Sequence, residues 1–229
     1  MNETIETPEL TSIQKVKALA SKNLYIFGRH VIGNDYLTEE VHGELGAWLT
    51  SPERKRKRVL GGVEYSGELM AVFIPRDCLK TTFVTSIYPM WRICNDPNTT
   101  VLIDSEARDL SMQVLKRIKV YMEENKYLKL LWGEFRADNR TWNQEAVRIA
   151  QRTDYQANED NIETAGIDVA KTGRHFKIII FDDLHSERNS KTKEAINGVI
   201  EHIQLMMPLL DKDGTMIAVG TSWSDDDAY

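Results

Sequence analysis

Four short apolar runs, separated by amphipathic helices, constrain the fold of this chain more than any other feature of its sequence. The runs occupy residues 69–74, 100–103, 177–181 and 215–219. Each is nearly continuous in apolar residues, which is typical of strands that are buried on both faces of a parallel sheet. Strands that alternate with helices predict an α/β fold with a mostly parallel central sheet flanked by helices.

Two of the intervening helices are predicted from apolar residues that recur at helical spacing. The first is expected to begin near Ser105 and Glu106. Its apolar stripe consists of Ala107, Leu110, Val114, Leu115, Ile118 and Tyr121. The second helix has a stripe of Ile196, Val199, Ile200, Ile203 and Met206, and Pro208 is expected to end it.

The length of 229 residues and the apolar content of 41% fit one globular domain. Residues 1–66 are interpreted as an N-terminal helical segment and basic linker of this domain, with helices near residues 13–24 and 37–49. Residues 67–229 are predicted to form its core. The basic run at residues 54–58 is interpreted as a solvated surface, with contact to DNA phosphates as the alternative.

Composition excludes several classes of protein. Lys and Arg total 29 against 35 Asp and Glu, so the net charge of −6 argues against binding nucleic acid through bulk positive charge. Two cysteines cannot form a disulfide framework. The apolar runs are far shorter than the roughly 20 residues of a membrane-spanning helix, and residues 1–6 do not resemble a signal peptide. We therefore expect a soluble protein of a reducing cytoplasm.

A lysine and a threonine follow the first predicted strand, in a segment that we call the Lys80 loop (residues 75–82). A strand, a loop, Lys80-Thr81 and then a helix make up the Walker A arrangement, in which the lysine contacts phosphates and the hydroxyl contacts Mg²⁺. The usual glycines are replaced by Ile74 and Leu79. Because a left-handed conformation costs a non-glycine residue about 1–2 kcal/mol, the loop is predicted either to be strained or to follow a different path. Pro89 is expected to end or kink the next helix.

Hydroxyl and carboxylate side chains follow two of the other predicted strands. Asp182 and Asp183 come directly after the third apolar run, where Asp182 could reach Mg²⁺ and Asp183 could orient or deprotonate water. An ordinary turn is the alternative interpretation. Gly220, Thr221 and Ser222 follow the fourth run, and their hydroxyls could sense a phosphate or could simply form a turn.

The order and spacing of these motifs resemble the N-terminal ATPase domain of the large terminase subunit of tailed bacteriophages, which packages double-stranded DNA into proheads. The resemblance extends from about Tyr36 to the C-terminus. It is carried by residues 75–76, 80–82, 89–91, 131–133, 172–176, 179–183 and 220–223 and by Asp226. It implies a P-loop NTPase fold of the ASCE/RecA-like type, with ATP and Mg²⁺ as cofactors.

The resemblance also implies roles for individual residues. The phosphate-binding segment would consist of Arg76, Asp77, Cys78, Leu79, Lys80, Thr81 and Thr82. Thr81 and Asp182 would bind Mg²⁺, Asp183 would be the catalytic carboxylate, and Arg76 would sense or stabilise the γ-phosphate. The coupling motif would consist of Gly220, Thr221 and Ser222. Because many relatives have glutamate where this chain has Asp183, we expect slow basal turnover.

The partners implied by the resemblance are double-stranded DNA, a small terminase subunit and the portal protein. The chain would act in the host cell cytoplasm, in a homo-oligomeric ring, commonly a pentamer, on the prohead and without a membrane. A nuclease domain would lie beyond Tyr229, so nuclease activity is expected only of a full-length protein. A neighbouring subunit could supply an arginine, for which Arg140, Arg174 and Arg188 are candidates.

Two other functions fit parts of the sequence. A superfamily-two helicase is suggested by Asp182-Asp183-Leu184-His185, which imitates a D-E-x-H box, although the chain is too short for a second RecA-like domain. A nucleotide-binding module without turnover is suggested by the loop without glycine and by the negative charge of Asp77.

Overall fold

The computed structural model describes residues 11–51, 58–60, 63–65, 67–167, 173–186 and 189–221. The helices are α1 (Ser12–Lys22), α2 (Leu24–Ile26), α3 (Glu44–Thr50), α4 (Tyr88–Asn95), α5 (Arg108–Glu124), α6 (Lys126–Trp132) and α7 (Lys193–Met206). The π-helical segments are Phe27–Val31, Glu39–Gly43 and Thr81–Ile87, and a 3-10 turn covers Met207–Leu209. The strands are β1 (Arg58–Leu60), β2 (Val63–Tyr65), β3 (Glu68–Phe73), β4 (Val101–Ser105), β5 (Ala146–Val147), β6 (Ile162–Gly166), β7 (Phe176–Asp182) and β8 (Leu210–Gly220).

The centre of the fold is a six-stranded sheet with the strand order β3-β8-β7-β4-β6-β5. Its strands are parallel except for β5, which pairs antiparallel with β6 at one edge. All four strands predicted from apolar runs are present, and the α/β class with a mostly parallel sheet is confirmed. Strands β1 and β2 form a separate antiparallel pair.

Helices cover both faces of this sheet and bury two groups of apolar side chains. On one face, Ile103 and Ile180 of the sheet share a core with Phe83 and Ile87 of the π-helical segment after the Lys80 loop. The N-terminal segment joins the same core, for example through Phe27. On the other face, α7 packs on the sheet through a second core. The predicted stripe of α7 is confirmed, because its members are buried or half-buried.

A buried polar contact also connects α7 to the sheet. His202 on α7 lies 2.6 Å from Asp104 of β4, measured from the imidazole Nε2 to the carboxylate Oδ2. Asp104 is fully buried and His202 nearly so. Because a polar group without a hydrogen-bond partner is costly in an apolar interior, this contact favours one placement of α7 on the sheet.

The predicted start of the helix after β4 is wrong by three residues. Ser105 still belongs to β4, and Ala107, which is extended, is the residue before the first turn of α5. The predicted stripe is also partly wrong, because Ala107 and Leu110 are exposed. Ser111 lies on the buried face instead, and its hydroxyl donates a hydrogen bond of 2.7 Å to the Ala165 carbonyl.

Pro89 does not end its helix. Helical structure continues from the π-helical segment Thr81–Ile87 directly into α4. Pro89 occupies the first turn of α4, where an α-helix does not use the backbone N–H that proline lacks. The change from π to α hydrogen bonding thus accommodates the proline inside a continuous helical segment.

Some predicted features lie outside the described residues. They are residues 54–57 of the basic run, Thr172, Arg188, Ser222, Trp223 and Asp226. Within the described part of the chain, no helix combines the length and the apolar character needed to cross a membrane.

Candidate functional site

A cleft of about 430 Å³ lies at the edge of the sheet where the parallel strands β3, β8, β7 and β4 end. Its lining residues are Arg76, Asp77, Leu79, Lys80, Thr81, Thr82, Glu106, Leu110, Asp183, His185, Ser186 and Thr221. Ligands of open α/β sheets commonly bind at the carboxyl ends of the strands, and the volume is within the range of small-molecule sites. The cleft therefore brings together three segments that the sequence singled out separately.

The Lys80 loop has two non-glycine residues in the left-handed region. Asp77 has a φ of 66° and Leu79 a φ of 55°. Leu79 stands at the position of the usual Walker A glycine, so the loop keeps a backbone path that glycine would adopt without strain. The sequence predicts either a strained loop or a loop with a different path, and the strained loop is observed. The cost is about 1–2 kcal/mol per residue, and the packing of Leu79 against the core offsets part of it.

Lys80 connects the ends of two strands. Its side chain is largely buried, with 9% of the residue exposed. The ammonium donates a hydrogen bond to the Thr221 hydroxyl after β8 and lies 3.4 Å from a carboxylate oxygen of Asp183 after β7. A buried ammonium requires such partners, because desolvation is otherwise costly. Lys80, the buried cationic residue of the Lys80 loop, is thus held between the segments that follow β7 and β8.

The two adjacent carboxylates have different surroundings because the chain turns sharply after β7. Asp182 is the last residue of the strand, whereas Asp183 has a left-handed φ of 48°. The Asp183 N–H donates a hydrogen bond of 2.8 Å to the Val219 carbonyl of β8, which fixes the turn. Asp183 thereby lines the cleft with a half-exposed side chain, while Asp182 stays buried.

Asp182 and Thr81 place two oxygen atoms next to each other. The Thr81 hydroxyl donates a hydrogen bond of 3.0 Å to a carboxylate oxygen of Asp182. Burial raises the pKa of Asp182 to about 6, and the nearby negative charge of Asp183 contributes to the same shift. Repulsion and desolvation of this kind are relieved when a cation binds to the carboxylate.

These oxygens fit Mg²⁺ better than a metal that needs several protein ligands. Mg²⁺ prefers oxygen ligands and commonly takes one or two carboxylates, with waters and substrate phosphates completing its octahedron. Among the described residues, no cluster of three or more His, Cys, Asp or Glu side chains has a geometry suited to a metal ion. Asp182 and Thr81 therefore match the kind and number of protein ligands that Mg²⁺ takes beside a phosphate, and they are fewer than the ligands of a structural Zn²⁺ site.

His42 is a component of the site that the sequence does not identify. Its Nδ1 accepts a hydrogen bond of 3.0 Å from the Thr38 N–H, so its Nε2 carries the proton and donates to the Cys78 carbonyl at 3.2 Å. The ring is buried and packs edge-on against Phe83 with 5.2 Å between centroids. His42 therefore attaches the N-terminal segment to the Lys80 loop. The sequence around His42 contains no motif that predicts this contact.

We expect His42→Ala to reduce the free energy of unfolding by about 2–4 kcal/mol, because it leaves a cavity and removes both hydrogen bonds. His42→Gln is the matched variant, since its amide can still donate toward the Cys78 carbonyl, and we expect it to lose about half as much. Urea unfolding at pH 7.5 measures both values. Equal stability of His42→Ala and the wild type would contradict the attachment of the loop by His42.

The remaining described candidates of the Lys80 loop and of the coupling motif lie at or near the cleft, and Ser222 is outside the described residues. Arg76 and Asp77 are exposed at its mouth. Thr82 accepts a hydrogen bond of 3.4 Å from Arg117, and Gly220 is the last residue of β8. Cys78 contributes to the site through its backbone, because its carbonyl accepts the hydrogen bond from the imidazole.

Two of the three arginines considered as donors to a neighbouring subunit's site, Arg140 and Arg174, have contacts within their own chain. Arg140 stacks over the Tyr155 ring, with 4.9 Å between the guanidinium carbon and the ring centroid. Arg174 pairs with the buried carboxylate of Glu163. Glu163 lies near the start of β6, so Arg174 has a structural role at the end of the strands opposite to the cleft.

Comparison with models of known protein families finds no match to this chain, and comparison with curated proteins finds no significant match.

Proposed function

We propose that this chain is a Mg²⁺-dependent ATPase with the ASCE/RecA-like fold of P-loop NTPases and that it is the motor domain of a viral terminase large subunit. The single observation that carries the ATPase proposal is the position of Lys80. Its ammonium lies between Asp183 and Thr221, while the adjacent Thr81 binds Asp182. Three motifs of the sequence thus converge on one cleft.

Lys80 and the first helical residues after it would bind the phosphates of ATP. The ammonium offers three hydrogen-bond donors, and the N–H groups at the start of a helix point toward an anion. Bound phosphates would compete with Asp183 and Thr221 for the Lys80 ammonium. Arg76, at the mouth of the cleft, would add a second positive charge near the terminal phosphate.

Thr81 and Asp182 would hold the metal. Bound Mg²⁺ supplies charge neutralisation of the phosphate oxygens during phosphoryl transfer. The hydrogen bond from the Thr81 hydroxyl to the Asp182 carboxylate already places the two oxygens side by side, as metal binding would require. Asp183, one residue further, would orient the attacking water, so catalysis would consist mainly of positioning and charge stabilisation.

Thr221 would couple hydrolysis to movement. Its hydroxyl accepts a hydrogen bond from Lys80 and follows directly on β8, which lies between β3 and β7. A change in the partners of Lys80 would therefore change the contacts at the end of β8. This arrangement supports a coupling role for Gly220 and Thr221, whereas Ser222 lies outside the described residues and keeps its role only from the resemblance.

The proposed biological role follows from the order of the motifs. The chain would translocate double-stranded DNA into a prohead in the host cell cytoplasm. It would do so within a homo-oligomeric ring, commonly a pentamer, that contacts the portal protein and a small terminase subunit. A helicase-like ATPase would predict strand separation by the purified chain. A binding module would predict ATP binding without phosphate release.

The proposal is tested by measuring phosphate release from ATP with Mg²⁺, with and without double-stranded DNA. We expect wild-type turnover to increase with DNA and Asp183→Asn to reduce kcat by about 100-fold, because an amide orients water less well than a carboxylate. The KM for ATP should change little. ATP binding without turnover in the wild type would favour the binding module instead.

A further inference from the structure

Glu106 is a carboxylate of the cleft that belongs to none of the sequence motifs assigned to the ATPase. It directly follows β4, whose last residue, Ser105, is the register partner of Asp182 at the end of β7. Glu106 and Asp183 are therefore the first residues beyond the paired ends of two neighbouring strands. Both line the same cleft.

The Glu106 side chain is bonded to the segment that follows β7. The Ser186 hydroxyl donates a hydrogen bond of 2.8 Å to its Oε1. Ser186 is itself fixed, since its N–H donates to Asn189 and the Asn189 amide donates to the Leu184 carbonyl, both at 2.7 Å. Ala107, the residue before α5, has no side chain that could cap this helix. The Glu106 carboxylate does not cap it either, and is bonded to Ser186 instead.

The two carboxylates differ in the charge of their partners. Asp183 lies beside the Lys80 ammonium, whereas Glu106 accepts from a neutral hydroxyl and forms no ion pair within the described part of the chain. Glu106 also has one more methylene than aspartate, which extends its reach into the cleft.

We propose that Glu106 is a second catalytic carboxylate, which accepts the proton of the attacking water while Asp183 orients that water. The water oxygen forms a bond to the γ-phosphorus, and the bond from this phosphorus to the β,γ-bridging oxygen breaks. The electron pair of that bond leaves with ADP. The proton of the water passes to Glu106 and is later released to solvent. This inference rests on the proposed ATPase function.

The test compares steady-state phosphate release by the wild type and Glu106→Gln, with Asp109→Asn as the matched control. Asp109 is an exposed acid on α5 outside the cleft. We expect Glu106→Gln to lower kcat by about 100-fold or more, the usual contribution of a general base. The Kd for a fluorescent ATP analogue should stay within about threefold of the wild type. Ser186→Ala should lower kcat by about 3–10-fold, because Glu106 loses its orienting hydrogen bond.

The outcomes separate this inference from the function on which it rests. A kcat of Glu106→Gln within about threefold of the wild type, together with the expected loss in Asp183→Asn, overturns the role of Glu106 and leaves the ATPase proposal intact. Loss of ATP binding in proportion to turnover also overturns it. Wild-type protein that releases no phosphate overturns both. If Glu106→Gln does not fold, Glu106→Asp keeps the charge on a shorter arm, and we expect a loss in kcat of at least about tenfold.

Discussion

Lys80→Ala is expected to abolish measurable ATP turnover and to weaken ATP binding by at least about 100-fold. Hydrogen bonds to charged groups contribute about 1.5–3 kcal/mol each, and about 2.7 kcal/mol corresponds to a factor of about 100 in Kd. The ammonium of Lys80 is buried at the centre of the cleft, and a water molecule that replaces it carries no compensating charge. Titration of a fluorescent ATP analogue and phosphate release measure the two effects.

Two further variants determine whether the loss belongs to the site. Lys116→Ala removes an exposed lysine of α5, which lines a separate groove with Gln113 and Gln144, and it should leave turnover unchanged. Lys80→Arg keeps the charge but places a larger planar group among Asp183 and Thr221, so we expect it to be inactive as well. An active Lys80→Ala would contradict the assignment of the cleft as an ATP site.

The parts of the fold that can be predicted are those in which a local pattern determines the outcome. Strand β7 is almost entirely apolar because both of its faces are covered, and its sequence alone identifies it. Strand β6 is not identified in this way, because Ile162–Gly166 contains Glu163 and Thr164 at buried positions. These polar groups are satisfied by partners from other segments, such as Arg174 for Glu163, and periodicity cannot reveal them.

The candidate site shows the same division. Lys80, Thr81, Asp182 and Asp183 stand in short motifs at strand ends, so their convergence can be expected from a parallel sheet alone. His42 reaches the Cys78 carbonyl across 36 residues of chain, and nothing around it in the sequence indicates this contact. For Leu79, the sequence allows either a strained left-handed conformation or a different path of the loop. The left-handed conformation is observed, and the choice depends on how the loop packs against the core.

Asp182→Asn is expected to have two opposite effects: a large loss of Mg²⁺-dependent turnover and a gain in stability at neutral and alkaline pH. Removing an oriented polar group from a catalytic centre commonly costs about 100–1,000-fold in kcat. Asparagine can still accept the hydrogen bond from Thr81, so the local structure should persist. Phosphate release across a range of Mg²⁺ concentrations measures the first effect.

The gain in stability follows from the raised pKa of Asp182. Below its ordinary pKa of 3.8 the carboxyl is mostly protonated in both the folded and the unfolded chain, and its burial is not penalised. As the pH rises through about 6, the folded protein must ionise a buried group whose ordinary pKa is 3.8, so that stability is lost. The difference corresponds to about 2–3 kcal/mol. Asparagine does not titrate, so Asp182→Asn should be more stable than the wild type by up to this amount at about pH 8 and about equal near pH 4.

Urea unfolding in the presence of EDTA at about pH 4, 6 and 8 measures this difference, and Asp109→Asn controls for the change in net charge. Added Mg²⁺ should then stabilise the wild type more than Asp182→Asn, because only the former offers a carboxylate to the ion. A lower stability of Asp182→Asn than of the wild type at about pH 8 would contradict the conclusion that burying the Asp182 charge destabilises the fold. Binding of Mg²⁺ to the Asp182 carboxylate would then recover part of the free energy that burial of its charge costs.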